Sequence, residues 1–253
     1  MTDVLDGWVT GSFTAAGFTH ATYRRGSGPP VIVIHEIPGI TPKVAAFANE
    51  VVEAGFTVVM PLLVGEAGRE VSGGYGLSSM LKVCVSKEFT NWALQRTSPV
   101  IAWLRALARS LHDELGGAGV GAIGMCFSGG FALGMMVDDI MVAPVLSQPS
   151  LPFAGGIKAK LRGADLNLSP DDTIAVAQRA ADGCQVLGLR FTGDKLVGSR
   201  FDSLRKLLGD AFIAVELPSV AKRDHSVLTE QRDEPSVQKV IGFLTEKLAP
   251  ASS

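Results

Sequence analysis

Cysteine is scarce in this sequence. Three in 253 residues, an odd number without regular spacing, exclude a disulfide framework. No His/Cys cluster has zinc-ligand spacing either, since His20, His35 and His112 are scattered. A dominant charge is lacking: 23 Lys and Arg stand against 25 Asp and Glu, a net charge of −2. That balance gives no reason to expect nucleic acid or a membrane surface as partner. Long apolar runs are missing as well. The stretch from Phe131 to Val145 is broken by Asp138 and Asp139, which argues against a membrane span. Met1 to Asp6 is acidic and has no apolar core of a secretory signal, so a cytoplasmic, reduced protein is expected. There is no internal repeat, low-complexity tract or linker, so residues 1–253 are read as one domain.

What the chain does contain is enough apolar sequence for a large core, 47% against 19% charged, and an alternation of strands with helices. Val31-Ile-Val-Ile-His35 is a buried-strand run. Lys43 to Ala54 carries Val44, Phe47, Ala48, Val51 and Val52 at helical spacing and ends at Gly55. Phe56-Thr-Val-Val-Met60 reads as a second strand stopped by Pro61. Residues 62–88 are Gly-rich and read as an irregular excursion, a lid or pocket wall. Pro99, at the first helical position after Ser98, opens a helix to about Leu115. Further strands are expected over Val120–Met125, Asp139–Leu146, Val186–Thr192 and Ala211–Leu217. Helices are expected over Gly129–Val137, Pro170–Ala181, Phe201–Leu208 and Pro235–Leu248. Trp8–Phe13 and Thr19–Tyr23 are suited to an antiparallel edge. The class is α/β, with a mostly parallel central sheet covered by helices on both faces.

Chemistry concentrates at Gly124-Met-Cys126-Phe-Ser128-Gly-Gly, a strand-to-helix junction. A nucleophile elbow needs small residues two before and two after the nucleophile, because the turn brings backbone close to backbone. Gly124 and Ser128 meet that need, and the following helix N-terminus favours a thiolate and an oxyanion. Cys84, in the excursion, and Cys184, before a strand without an elbow, read as ordinary cysteines. In this type of site the acid and histidine follow on later loops. Asp194 comes after the strand ending near Thr192, and His225 lies in Arg223-Asp-His-Ser226 after the next strand. His225 is then the base for Cys126 and the acid for the leaving group, with Asp194 fixing its tautomer. His35-Glu36-Ile37-Pro38-Gly39 follows the first buried strand, so the backbone N–H groups of Ile37 and Phe127 are the oxyanion candidates. Glu36 is unusual there, since a carboxylate facing an oxyanion would repel it.

His-Glu-Ile-Pro-Gly, Gly-Met-Cys-Phe-Ser-Gly-Gly, Phe191-Thr-Gly-Asp-Lys and Asp-His-Ser together resemble the dienelactone hydrolase family, over residues 31–228. The resemblance implies an α/β-hydrolase fold and hydrolysis of a small-molecule ester or enol-lactone without metal or cofactor. It implies a Cys126–His225–Asp194 triad, and for Glu36 a gate that pairs with the thiol at rest. The strings from Ser98 to Arg105 and from Ala143 to Pro152 resemble a less characterised branch. The family's dienelactone-specific members bind a substrate carboxylate with arginines, one shortly after the histidine. Here Ser226-Val-Leu-Thr229 follows instead, leaving Arg69, Arg96 and Arg223 as substitutes.

Gly119-Val-Gly-Ala-Ile-Gly124 fits a dinucleotide-binding spacing, yet its glycines fall within a strand rather than at a turn that opens a helix. Two other readings stay open on sequence. One is a non-catalytic ligand-binding or thiol redox-sensing module, with Cys84 as partner of Cys126. The other is cleavage of an amide or carbon–carbon bond by the same residues.

Overall fold

The computed structural model describes residues 4–86, 88–89, 97–150 and 163–250. Its strands are β1 (Val9–Ala15), β2 (Phe18–Arg25), β3 (Pro30–Ile34), β4 (Thr57–Leu62), β5 (Val120–Met125), β6 (Met141–Ser147), β7 (Val186–Phe191) and β8 (Phe212–Leu217). They form one eight-stranded sheet in the order β1-β2-β4-β3-β5-β6-β7-β8. From β4 across to β8 every pairing is parallel, while β1 and β2 add antiparallel at one edge. Ala16 and Gly17 link β1 to β2 with φ of 50° and 83°, the positive angles of a tight hairpin turn whose twist suits its strands.

The helices are α1 (Pro42–Glu53), α2 (Gly73–Val85), α3 (Pro99–Leu115), α4 (Gly129–Met135), α5 (Pro170–Ala181), α6 (Arg200–Leu208) and α7 (Glu234–Leu248). Strand residues alternate between faces, and the core divides accordingly. Ile32 and Ile34 of β3 join Trp103 of α3, Phe131 of α4, Val176 of α5 and Phe201 of α6. Val31 and Val33 join Phe47 of α1 and Phe243 of α7 on the opposite face. Cores on both faces explain why β3 and β5 are apolar along their whole length and buried at every position.

Three expectations need correction. The excursion over 62–88 is not irregular throughout, because α2 occupies Gly73–Val85. Ser72 caps it, accepting from Tyr75 N–H, and Tyr75 and Val83 bury its inner side. Nor does Pro61 stop β4, which continues to Leu62. Val59 is the last β4 residue paired with β3, whereas pairing with β2 continues through Pro61 and Leu62. With a neighbour on one side only, a missing N–H is tolerated. The strand expected from Asp139 starts at Met141 and ends at Ser147. The parallel arrangement brings the loops after β3, β5, β6, β7 and β8 to one end of the sheet, where ligands bind in open α/β sheets.

Candidate active site

Cys126 stands at the β5–α4 junction with φ of +56°, a left-handed conformation that side-chain-bearing residues rarely hold. Glycine at 124 is required by the close approach this produces: a Cβ there would lie 2.2 Å from the Ser128 carbonyl oxygen. Ser128 is fully buried. Its hydroxyl accepts from Met125 N–H at 2.9 Å and lies 3.0 and 3.1 Å from the carbonyls of Ile34 and His35. One hydroxyl proton serves those carbonyls in turn, so Ser128 ties the elbow to the end of β3. Phe127 belongs to the 3-10 turn Cys126–Ser128 that precedes α4. Its N–H, in a first helical turn, has no intrahelical acceptor.

Asp194, after β7, accepts from Leu196 N–H at 2.9 Å with Oδ1 and meets His225 Nδ1 at 2.6 Å with Oδ2. The Asp194 side chain is 3% exposed and that of His225 17%. Gln231 steadies the histidine loop, its Oε1 accepting from the N–H groups of His225 and Ser226 at 3.1 and 2.9 Å. His225 Nε2 is buried. Burial disfavours the imidazolium, but the charges and hydrogen bonds of Cys126 and Asp194 outweigh it and lift the His225 pKa to about 11. The Cys126 sulfur lies 3.3 Å from Ser150 Oγ, and Ser150 N–H donates to the Cys126 carbonyl at 3.0 Å.

Glu36 is buried on the loop after β3 but does not meet the thiol in this structure. Oε1 accepts from Thr229 Oγ1, and Oε2 accepts from Ser226 Oγ at 2.7 Å and Gln148 Nε2 at 3.2 Å. Burial raises its pKa, opposed by the hydroxyls of Thr229 and Ser226 and by the charge of His225. The expected pairing with Cys126 differs from this arrangement for a plain reason: two hydroxyls and an amide are better donors than a thiol. Beside it, His35 is fully buried. Its Nδ1 lies 2.8 Å from the Glu36 carbonyl, and Nε2 accepts from Leu63 N–H at 3.0 Å. Burial pulls its pKa down to about 4.

The arginines are placed differently from one another. Arg69 is engaged, 2.7 Å from Glu66 Oε1 and with its guanidinium 4.3 Å from the centre of the Tyr75 ring. Arg223 is exposed on the histidine loop. Arg96 lies outside the described residues.

Sequence inspection missed Ser150, Gln148 and Arg200. Arg200, at the start of α6, is 2% exposed. It donates from Nε to the Asp165 carbonyl at 3.0 Å and from Nη1 to the carbonyls of Leu196 and Val197 at 3.1 and 2.9 Å. It therefore braces the loop that carries Asp194, and it lines a small cavity with Phe127 and Ser150. Burial brings its pKa down to about 10, against the charges of Asp165, Asp194 and Cys126. The sole sequence signal for Gln148 and Ser150 was polar Ser147-Gln-Pro-Ser150 closing an apolar strand.

Among the described residues no group of His, Cys, Asp and Glu could hold a metal ion, and no helix is long and apolar enough to cross a membrane. No match is found among curated proteins. Solved structures are similar over nearly the full chain. A dienelactone hydrolase from Anabaena variabilis ATCC 29413 aligns at 12% identity and a TM-score of 0.62, covering 95% of this chain and 98% of its own. A cold-adapted esterase from an Arctic intertidal metagenomic library aligns at 16% and 0.59, covering 94% and 92%. A thioesterase domain from the curacin biosynthetic pathway aligns at 10% and 0.56, covering 95% and 100%. At such identities the shared property is the fold, here the α/β-hydrolase fold. The family assignment comes from residues 18–239, which match the model of the dienelactone hydrolase family. With that match over most of its length, the chain belongs to the dienelactone hydrolase family, and it is a carboxylic ester hydrolase.

Proposed function

We propose that the protein hydrolyses a small ester or lactone through Cys126, His225 and Asp194, by way of a thioester acyl-enzyme. The observation that carries the proposal is the buried His225 ring, oriented through Nδ1 by Asp194 and coupled on its other side by charge and a hydrogen bond to Cys126, a cysteine held at positive φ. With His225 protonated, the Cys126 thiolate attacks the acyl carbon. The N–H groups of Ile37 and Phe127 receive the oxyanion, as preorganised donors that need no reorientation. Collapse of the tetrahedral intermediate breaks the carbon–oxygen bond, and the Nε2 proton of His225 passes to the leaving oxygen. In a lactone that oxygen stays tethered to the acyl group. Now neutral, His225 takes a proton from water as the water attacks the thioester. The acid is released and the ion pair restored.

Glu36 acts in this scheme through the histidine loop, holding Ser226 and Thr229 in place. Arg223 is the candidate for a substrate carboxylate, because Arg69 is taken up by Glu66 and Tyr75. The test is turnover of activated aryl esters and simple lactones, with and without a free carboxylate, by wild type and Cys126→Ala. Cys126→Ala is expected to lose at least a thousandfold in kcat; activity within tenfold of wild type would remove the thiol from the mechanism.

A further inference from the structure

Gln148 is a strained residue in a place where glycine would fit the backbone better. It follows β6 with φ of +35°, and its side chain is fully buried. Its backbone N–H donates to the Leu189 carbonyl at 2.7 Å, which fixes the turn to β7. Its amide is satisfied on both ends. Oε1 accepts from Ser147 Oγ and from Val227 N–H at 3.3 Å, and Nε2 donates to Glu36 Oε2 at 3.2 Å. Exchanging the amide oxygen and nitrogen would set N–H against the Val227 N–H, so the network itself defines the orientation.

Those partners belong to different parts of the site. Glu36 adjoins Ile37, and Val227 is two residues from His225. Two residues beyond Gln148, Ser150 contacts both the carbonyl and the sulfur of Cys126. The turn Ser147-Gln-Pro-Ser150 therefore touches the oxyanion loop, the histidine loop and the nucleophile at once. Ser226 and Thr229 reach the same Glu36 carboxyl from the histidine side, so Gln148 closes a buried polar ring. Backbone strain that persists in such a ring is held by the contacts around it, and it occurs most at functional sites.

We infer that Gln148 is a positioning residue for the hydrolysis, its amide setting the histidine loop against the oxyanion loop so that His225 faces Cys126. The inference rests on the Cys126–His225–Asp194 reading above. A displacement of about 1 Å between reacting groups can lower rates by on the order of a hundredfold, and such a loss enters kcat rather than substrate binding. The test compares Gln148→Gly, which suits the backbone but deletes the amide, with Gln148→Met, which keeps similar volume without hydrogen bonding. Each is assayed on an activated aryl ester, with concentration set by titration of native thiol in the folded protein and Cys126→Ala assayed alongside. The expected result is a fall in kcat of more than fivefold in both variants, with KM within threefold of wild type. A smaller fall in either variant, or a change confined to KM, overturns the positioning role. Retained turnover in Cys126→Ala would instead overturn the nucleophile assignment on which it rests.

Discussion

Replacing the nucleophile by glycine should give a more stable protein than replacing it by alanine. Cys126 holds φ of +56°, where the clash between Cβ and the following carbonyl costs about 1–2 kcal/mol. Alanine keeps the Cβ and the clash; glycine removes it. Glycine also has more freedom to lose on folding, which offsets about 0.5–1 kcal/mol of the gain. Both variants lack the sulfur, so they lose its contacts with Ser150 and His225 equally, and their difference isolates the backbone. Taking the middle of each range, Cys126→Gly is therefore expected to exceed Cys126→Ala by about 0.75 kcal/mol. For a chain of this size that is roughly 1–4 °C in Tm, measured by scanning calorimetry at one pH and buffer. Wild type is the wrong reference, because it also carries the sulfur and its contact with Ser150. If Cys126→Ala melts at the same temperature as Cys126→Gly, or above it, the elbow is not strained at this residue and the argument fails.

Two more outcomes follow from the charges around the site. Asp194→Asn should lower kcat by roughly 10²–10⁴, as loss of the tautomer-fixing carboxylate does in other triads. Because Asp194 helps raise the His225 pKa, its loss should also move the alkaline limb of the pH–rate profile to lower pH, and a limb that stays in place would exclude Asp194 as the partner of His225. Glu36→Gln should become more stable relative to wild type as pH rises above the ordinary glutamate range. Burial raises the Glu36 pKa in the fold, so its contribution to stability is complete below about pH 4.5 and is lost as pH climbs toward the folded value. Glutamine has no such loss, and urea unfolding midpoints at pH 4 and pH 8 read the difference directly; an equal offset at both pH values would refute it.

Much of this architecture is legible in the residues. β-branched runs such as Val31-Ile-Val-Ile mark strands buried on both faces, and Pro99 and Ser169 mark helix starts that the structure keeps. The order Cys126, Asp194, His225 was legible too, because each stands at or in the loop after the end of a strand and parallel strands bring those ends together. Where residues 62–88 read as irregular, local propensity pointed the wrong way. Gly73, Gly74 and Gly76 disfavour a helix, yet the cap at Ser72 and the burial of Tyr75 and Val83 stabilise one. The polar surroundings of the site were hidden for a different reason. Gln148, Ser226 and Thr229 meet Glu36 across separations of at least 112 residues, and a serine or glutamine in isolation carries no sign of such a partner. The pairing of Glu36 with the thiol is what the family resemblance implies, and nothing near Glu36 in the sequence signals the hydroxyls that hold it instead.

His35 gives the molecule an internal standard. With Nδ1 at the Glu36 carbonyl and Nε2 receiving the Leu63 N–H, one tautomer fits its surroundings, and burial holds the ring neutral well below neutral pH. In a titration followed by the ring protons of all four histidines, its resonances should stay fixed while a catalytic imidazole moves, so a drifting signal can be assigned to chemistry rather than to a general loosening of the fold around the loop that His35 supports.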